Sequence, residues 1–337
     1  MKICNIFGTR PQYIKVGAIL DILRRDDIEY LNLDTGQHYD HDMSKIFIKE
    51  LGIDVHHTTK NIPEMRKIVD DFNPDFILLY GDTFSSALGY ISSCKYKTCH
   101  VEAGVRAGDF SLVEEIIRMI LDHLCDIRLC PTKTAVKNLE MEGLLAGNYF
   151  VGDIMNDLLQ KTKPKLRKIY NCDSGYIYAT LHRGLNVDSE RRFRIIMDAF
   201  EKCGKAVILP LHPRTRKRIA EYGIELPDNV IDLKPLGHGI SLSYIKYADA
   251  VVTDSGGIEK EAYLLETPCL TILKATAWVE TVIDGWNVLS EPEDILPNLA
   301  GLDVIRNKLD LERESIRNHY GNGDACEKIV NALKSIQ

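Results

Sequence analysis

Short apolar runs, each followed by an amphipathic stretch, recur along the chain and constrain its fold more than any other feature. Lys2 to Phe7 precedes Ile14 to Leu23, Phe76 to Tyr80 precedes Ser85 to Ser93, and Ile127 to Cys130 precedes Thr134 to Met141. Runs this short suit strands buried on both faces, and the helical periodicity of the stretch after each suits a covering helix, which together make the βαβ pattern of a parallel sheet. The pattern restarts at Tyr176 to Thr180, Ala206 to Leu211, Val230 to Leu233 and Ala250 to Thr253. Between the two series Lys161 to Cys172 is rich in Lys, holds one Pro and has little apolar content, as a hinge would. The chain therefore reads as α/β, with two Rossmann-like doubly wound domains at 1–163 and 164–320. A closing segment, 321–337, carries a helix from Asp324 to Ile336 that is expected to pack back on the first domain. Ligands of open parallel sheets collect beyond the carboxyl ends of the strands. Two such sheets facing across a cleft would suit a two-part ligand such as a nucleotide-sugar.

Charge and composition narrow the function classes. Lys and Arg number 42 against 49 Asp and Glu, and the net charge of -7 argues against nucleic acid as a partner. No apolar run approaches the roughly 20 residues of a membrane helix, and Met1 to Pro11 reads as a strand and turn rather than a signal peptide. No membrane partner and a cytoplasmic location are expected. The nine cysteines are odd in number and scattered, which fits reduced thiols. Cys94/Cys99 and Cys125/Cys130 lack an accompanying Cys-x2-Cys knuckle, so they read as buried small residues rather than zinc ligands.

Polar clusters fall just after many of the strands. Thr253-Asp254-Ser255-Gly256-Gly257 follows one strand and opens a helix; Ser255 can cap it while the bare backbone of Gly256 and Gly257 admits an anion to the helix N-terminus. Glu261, one to two turns on, could accept from a ribose diol. The alternative is an ordinary capped turn. Gly8-Thr9-Arg10-Pro11 starts another helix, with Arg10 and Lys15 near enough to serve a diphosphate, or merely solvated on a capped helix. Gln37, His38 and Tyr39 form either a polar loop or a ligand loop. Asp82, Glu102 and Glu114 each lie at or just beyond a strand end, where converging carboxylates can divide acid and base roles. Singly, Asp82 could cap a helix, Glu102 could pair with Arg106 or Arg118, and Glu114 could simply favour a helix start. His182-Arg183 and His212-Pro213-Arg214 also follow strands, and two such histidines with Arg neighbours favour an anion site.

Nine blocks in order resemble the non-hydrolysing UDP-N-acetylglucosamine 2-epimerases across nearly the whole chain: GTRPQYIK at 8–15, TGQHYD at 35–40, GDT at 81–83, HVEAGVR at 100–106, EEIIR at 114–118, TLHR at 180–183, PLHPRTRK at 210–217, TDSGGIEKEA at 253–262 and WVETVIDGWNVL at 278–289. The resemblance implies the GT-B arrangement of two Rossmann-like domains, a homodimer, UDP held mainly by the second domain, and no metal or nicotinamide cofactor. The implied reaction interconverts UDP-GlcNAc and UDP-ManNAc through elimination of UDP to a 2-acetamidoglucal and re-addition. Asp82, Glu102 and Glu114 match the acid-base carboxylates and His182 the histidine near the leaving group. Arg10, Lys15, Gln37, His38, Arg118 and His212 fall on substrate-binding blocks, Ser255, Gly256 and Gly257 on the diphosphate site, and Glu261 on the ribose site.

Several positions depart from the family pattern. Ile117 stands where the pattern has Asn, Leu185 where it has Glu, Leu273 to Ala277 lack the expected Arg and acidic residues, and Leu236 to Ser241 lack aromatics flanking the base. Between Gly52 and Pro74 the chain is about twenty residues shorter than the family's loop and helix there, which in bacterial relatives help bind a second, activating UDP-GlcNAc. These departures point to altered substrate or regulation and keep other readings open: an epimerase for a modified UDP-sugar such as a diacetamido-uronic acid, a hydrolysing epimerase, and a GT-B glycosyltransferase or UDP-binding protein.

Overall fold

Strand β1 (Lys2–Phe7) shows how the sequence builds its first sheet: Ile3 and Phe7 enter one apolar layer while Cys4 and Ile6 enter the opposite one. That two-residue alternation with apolar residues on both sides is what a strand covered by helices on both faces requires. The computed structural model describes residues 1–37, 41–309 and 319–337. His38 and Tyr39 lie outside them.

Two compact units result. The first runs to Lys163 and includes the C-terminal helix; the second begins at Pro164. In the first, β1 is followed by α1 (Arg10–Arg25), β2 (Glu29–Asp34), α2 (His41–Glu50), β3 (His57–Thr58), α3 (Ile62–Phe72), β4 (Phe76–Tyr80) and α4 (Phe84–Ser93). Then come β5 (Lys97–Val101), α5 (Val113–Leu124), β6 (Ile127–Cys130), α6 (Lys133–Met141), β7 (Asn148–Phe150) and α7 (Ile154–Thr162). Its seven strands are parallel in the order β3-β2-β1-β4-β5-β6-β7, so chain order reverses between β1 and β4, where Ile3 pairs with Phe76. In such sheets that reversal is where adjacent loops diverge and leave room for a ligand.

The second unit holds β8 (Tyr176–Thr180), α8 (Gly184–Val187), α9 (Glu190–Lys202), β9 (Ala206–Pro210), α10 (Pro213–Glu221), β10 (Val230–Leu233) and α11 (His238–Lys246). It continues with β11 (Ala250–Thr253), α12 (Gly256–Leu264), β12 (Cys269–Thr271), α13 (Val279–Ile283), β13 (Asn287–Leu289) and α14 (Ile295–Leu309). Six parallel strands in the order β10-β9-β8-β11-β12-β13 again reverse, here between β8 and β11. The chain's last helix, α15 (Ala325–Ile336), packs on α1 and α7 through Cys326, Ile329, Val330 and Leu333 and so completes the first unit. Among the described residues no helix is long and apolar enough to cross a membrane. All nine cysteines are free thiols, six of them buried, at 4, 99, 125, 130, 269 and 326.

Candidate active site

At the reversal of the first sheet, one buried side chain ties the two diverging loops together. Gln12 of α1 accepts from the amides of Gly8 (2.8 Å) and Thr9 (3.0 Å) and donates to the Tyr80 carbonyl (2.7 Å), Thr83 (2.8 Å) and Ser86 (3.0 Å). The Gln37 side chain, from the loop after β2, accepts from the Ser85 amide at 2.9 Å and its hydroxyl at 2.7 Å. Three strand-end loops are thus held in fixed register before any ligand arrives.

The charged groups collect beside these loops. Lys15 and Glu102 form a buried ion pair at 2.7 Å. A Cβ on Gly81 would lie only 3.1 Å from the Lys15 ammonium and 3.5 Å from a Glu102 oxygen, so the absence of a side chain there leaves room for the pair. Glu102 is held at φ +77, a left-handed conformation that costs a non-glycine residue on the order of 1–3 kcal/mol and clusters at functional sites. Its amide still bonds the Leu129 carbonyl at 3.0 Å, so the twist re-aims the side chain without breaking the sheet edge. Asp82, next to Gly81, pairs with Arg118 of α5, whose other terminal nitrogen bonds Glu115. Glu115 is buried and accepts from the amides of Ala107 (3.0 Å) and Gly108 (2.9 Å). It anchors the loop that precedes α5.

Beneath this group His100, fully buried on β5, reaches Asp122 of α5 at 2.6 Å and the Gly81 carbonyl at 3.0 Å. Burial works against a charge on Asp122, but His100 and Arg106 (2.7 Å) outweigh it and hold the carboxyl below the usual range.

In the second unit the equivalent position is organised by Asp254, which is fully buried between β8 and β11. It accepts from the amides of His182 (3.0 Å) and Arg183 (3.0 Å) and from Asn186 (3.2 Å), and the His182 ring nitrogen Nδ1 stands 3.1 Å away. Burial is again overcome by His182 and the amide donors, and the Asp254 carboxyl lies below its ordinary range. The Nε2 edge of His182 is left facing away from that carboxylate. The rings of His182 and His212 stand 5.7 Å apart at adjacent strand ends. Ser255, Gly256 and Gly257 occupy the start of α12, where first-turn amides and the helix dipole favour an anion, although the Ser255 amide itself donates to the Thr253 hydroxyl at 3.0 Å.

Several sequence expectations change in detail. Glu102 pairs with Lys15 rather than with Arg106 or Arg118, and Lys15 is committed to that carboxylate. Arg10 lies over the Phe47 ring at 4.8 Å. Ser255 stands at the N-cap, but its hydroxyl makes no capping bond. Glu261 is buried and bonds His238 at 2.8 Å. Glu114 is exposed, whereas its neighbour Glu115 turns inward; consecutive helical residues point about 100° apart, so only one can join the buried network. Ser241 is buried against the Tyr178 hydroxyl at 2.8 Å, and Leu185 is exposed. Gln12, His100, Glu115 and Asp122 were not singled out by the sequence. Among the described residues no group of three or more His, Cys, Asp or Glu is placed to hold a metal ion.

Comparison with known proteins adds a family. The family model described as UDP-N-acetylglucosamine 2-epimerase matches residues 21–334. A Methanococcus maripaludis protein named UDP-N-acetylglucosamine 2-epimerase homolog is 38% identical, with 100% of each chain covered. The Pseudomonas aeruginosa UDP-2,3-diacetamido-2,3-dideoxy-D-glucuronate 2-epimerase is 34% identical, again over 100% of each. Among solved structures, the Methanocaldococcus jannaschii UDP-GlcNAc 2-epimerase in complex with UDP-GlcNAc and UDP superimposes with a TM-score of 0.88 at 30% identity, covering 99% of this chain and 100% of that one.

Proposed function

Because the chain belongs to the UDP-N-acetylglucosamine 2-epimerase family, we propose that it inverts C2 of a UDP-N-acetylhexosamine, interconverting UDP-GlcNAc and UDP-ManNAc without net hydrolysis. The observation that carries this reading is the pair of cation-held carboxylates, buried Glu102 on Lys15 and part-buried Asp82 on Arg118, at the reversal of the first sheet. The C2 hydrogen is scarcely acidic. Its removal by a carboxylate needs simultaneous weakening of the C1–oxygen bond, so that the electron pair left at C2 forms the C1–C2 double bond as UDP departs. Re-addition of UDP at C1, with a proton delivered to C2 on the opposite face, completes the inversion. Two or more acid-base groups are therefore needed, and Asp82, Glu102 and Glu114 fill those roles in this reading.

His182, turned by Asp254, donates to the leaving diphosphate, while the Ser255 hydroxyl, the α12 amides at Gly256 and Gly257 and the side chains of Arg10 and His212 balance its charge. Gln37 would border the sugar, and Glu261, oriented by His238, would accept from the ribose. The P. aeruginosa relative and Ile117, which stands next to Arg118 in sequence where the family pattern has Asn, favour a second reading, in which the sugar is a diacetamido-uronic acid.

The test is incubation of each UDP-sugar in deuterated water. Deuterium at C2 of both epimers is the expected result. No exchange with either sugar would refute epimerisation, and accumulation of free UDP with free ManNAc would replace it with the hydrolysing reaction.

A homodimer is part of the same proposal. On α5, Val113, Ile116, Ile120 and Leu124 are each about half exposed, and α4, packed beside it, adds Phe84 and Ile91. Together they present on the order of 500 Å² of apolar surface, most of the roughly 800 Å² per partner that a stable interface covers. A second copy of this chain is the occupant we assign to it.

A further inference from the structure

We propose that His100 carries a proton on both ring nitrogens and, as a buried imidazolium, fixes the three chain segments that bear the acid-base carboxylates. The inference rests on the epimerase reading only for what those carboxylates do; the proton count comes from the hydrogen bonds themselves.

Both partners of the ring are acceptors. Nε2 lies 3.0 Å from the Gly81 carbonyl, which has no proton to give. Nδ1 lies 2.6 Å from an oxygen of Asp122. A neutral imidazole has one N–H and could satisfy only one of them, unless Asp122 were itself the acid. Its second oxygen argues otherwise, accepting from the Gly104 amide at 3.0 Å and from the Arg106 guanidinium at 2.7 Å. Those two donors occupy the oxygen that an acid proton would otherwise use, leaving Asp122 to accept from the ring at its other oxygen. Turning the ring over would set carbons against both acceptors.

Charge balance agrees. Arg106 also grips Glu142 through two bonds at 2.7 and 2.8 Å, so two carboxylates, one guanidinium and one imidazolium make a neutral cluster. Without the second imidazole proton the fully buried Asp122 would share Arg106 with the part-exposed Glu142.

Position gives the cluster its use. Gly81 immediately precedes Asp82; His100 stands two residues before Glu102 on β5; Asp122 is two turns along α5 from Glu114 and one turn from Arg118. One ring therefore bolts the β4–α4 loop, the end of β5 and the body of α5 together, and does so only while it donates in both directions. His100 touches no reacting atom in this arrangement and is a positioning residue.

The test uses the whole chain labelled with 15N-histidine. Long-range proton–nitrogen correlation at pH 7, assigned by loss of the signal in His100→Asn, should show both His100 nitrogens protonated. An unprotonated ring nitrogen would overturn the proposal. His100→Asn keeps a donor for Asp122 and His100→Gln keeps one for Gly81, so each breaks a single arm. Each should lower kcat for C2 exchange about a hundredfold through misplacement of the carboxylates while leaving KM nearly unchanged. Unchanged kcat in both variants would also overturn it. The nitrogen measurement needs no turnover, so a doubly protonated ring in a chain that fails to epimerise would refute the reaction and leave the positioning standing.

Discussion

Replacing Glu259 by Gln should leave the second unit's stability nearly unchanged at acid pH and raise it as the solution becomes alkaline. Glu259 is fully buried on α12, accepting from Thr276 at 2.6 Å and Thr281 at 3.1 Å, and its other oxygen has no partner among the described residues. Burial pushes its carboxyl up to about 7, against the opposing pull of those hydroxyls and Arg183. The folded form therefore keeps a proton that the unfolded chain releases near pH 4.5, and stability falls as pH rises between those values. A raised carboxyl of this size costs about 3 kcal/mol once both states are ionised, of which roughly 2–3 kcal/mol develops between pH 5 and pH 8. Gln is neutral throughout and of nearly the same shape, so the variant escapes that loss. Urea unfolding at the two pH values measures it. Both tryptophans, Trp278 and Trp286, lie in the second unit, so their fluorescence follows the transition that contains Glu259. A gap between variant and wild type that is the same at pH 5 and pH 8 would show that Glu259 is ionised in the folded protein and that the argument is wrong.

Other substitutions separate the groups of the site. Lys15→Met or Glu102→Gln alone should destabilise the first unit by about 3–5 kcal/mol, because each strands a buried charge, while the double variant should lose less than either; additive losses in thermal unfolding would contradict the pairing. Glu114→Gln should abolish deuterium exchange with little change in melting temperature, whereas Glu115→Gln should lower stability by about 1–3 kcal/mol by loosening the amides of Ala107 and Gly108; the reverse pattern would exchange their roles. Ile120→Glu should convert dimer to monomer in light scattering, and a dimer that survives it would move the interface elsewhere. Because only β3 and α3 span Gly52 to Pro74, the rate should follow UDP-GlcNAc concentration hyperbolically, and a sigmoidal dependence would reveal a second, activating site.

The sheets were legible because burial on both faces leaves a run of apolar residues that little else produces. β1, β4, β6, β8, β10 and β11 coincide with such runs, while β3, β7, β12 and β13 are two or three residues long and carry too little pattern to stand out. The strand-end residues were legible for the same reason, since parallel strands bring their carboxyl ends to one edge. Helical phase was not. α5 has two apolar stripes, one inward through Ile117 and Leu121 and one outward through Val113, Ile116, Ile120 and Leu124. Which stripe meets the sheet decides whether Glu114 or Glu115 is buried, and that depends on neighbours the local sequence does not contain. Partner choice was hidden in a similar way. Lys15 finds Glu102 because Gly81 leaves a space between them and because Glu102 adopts a left-handed backbone, both properties of the folded edge. His100 looks like any strand histidine until Asp122 and the Gly81 carbonyl are seen on either side of its ring. Sequence pattern thus locates the edge where chemistry can happen, whereas the partner of each charge, and with it the proton each group carries, is fixed only when three separate segments meet there.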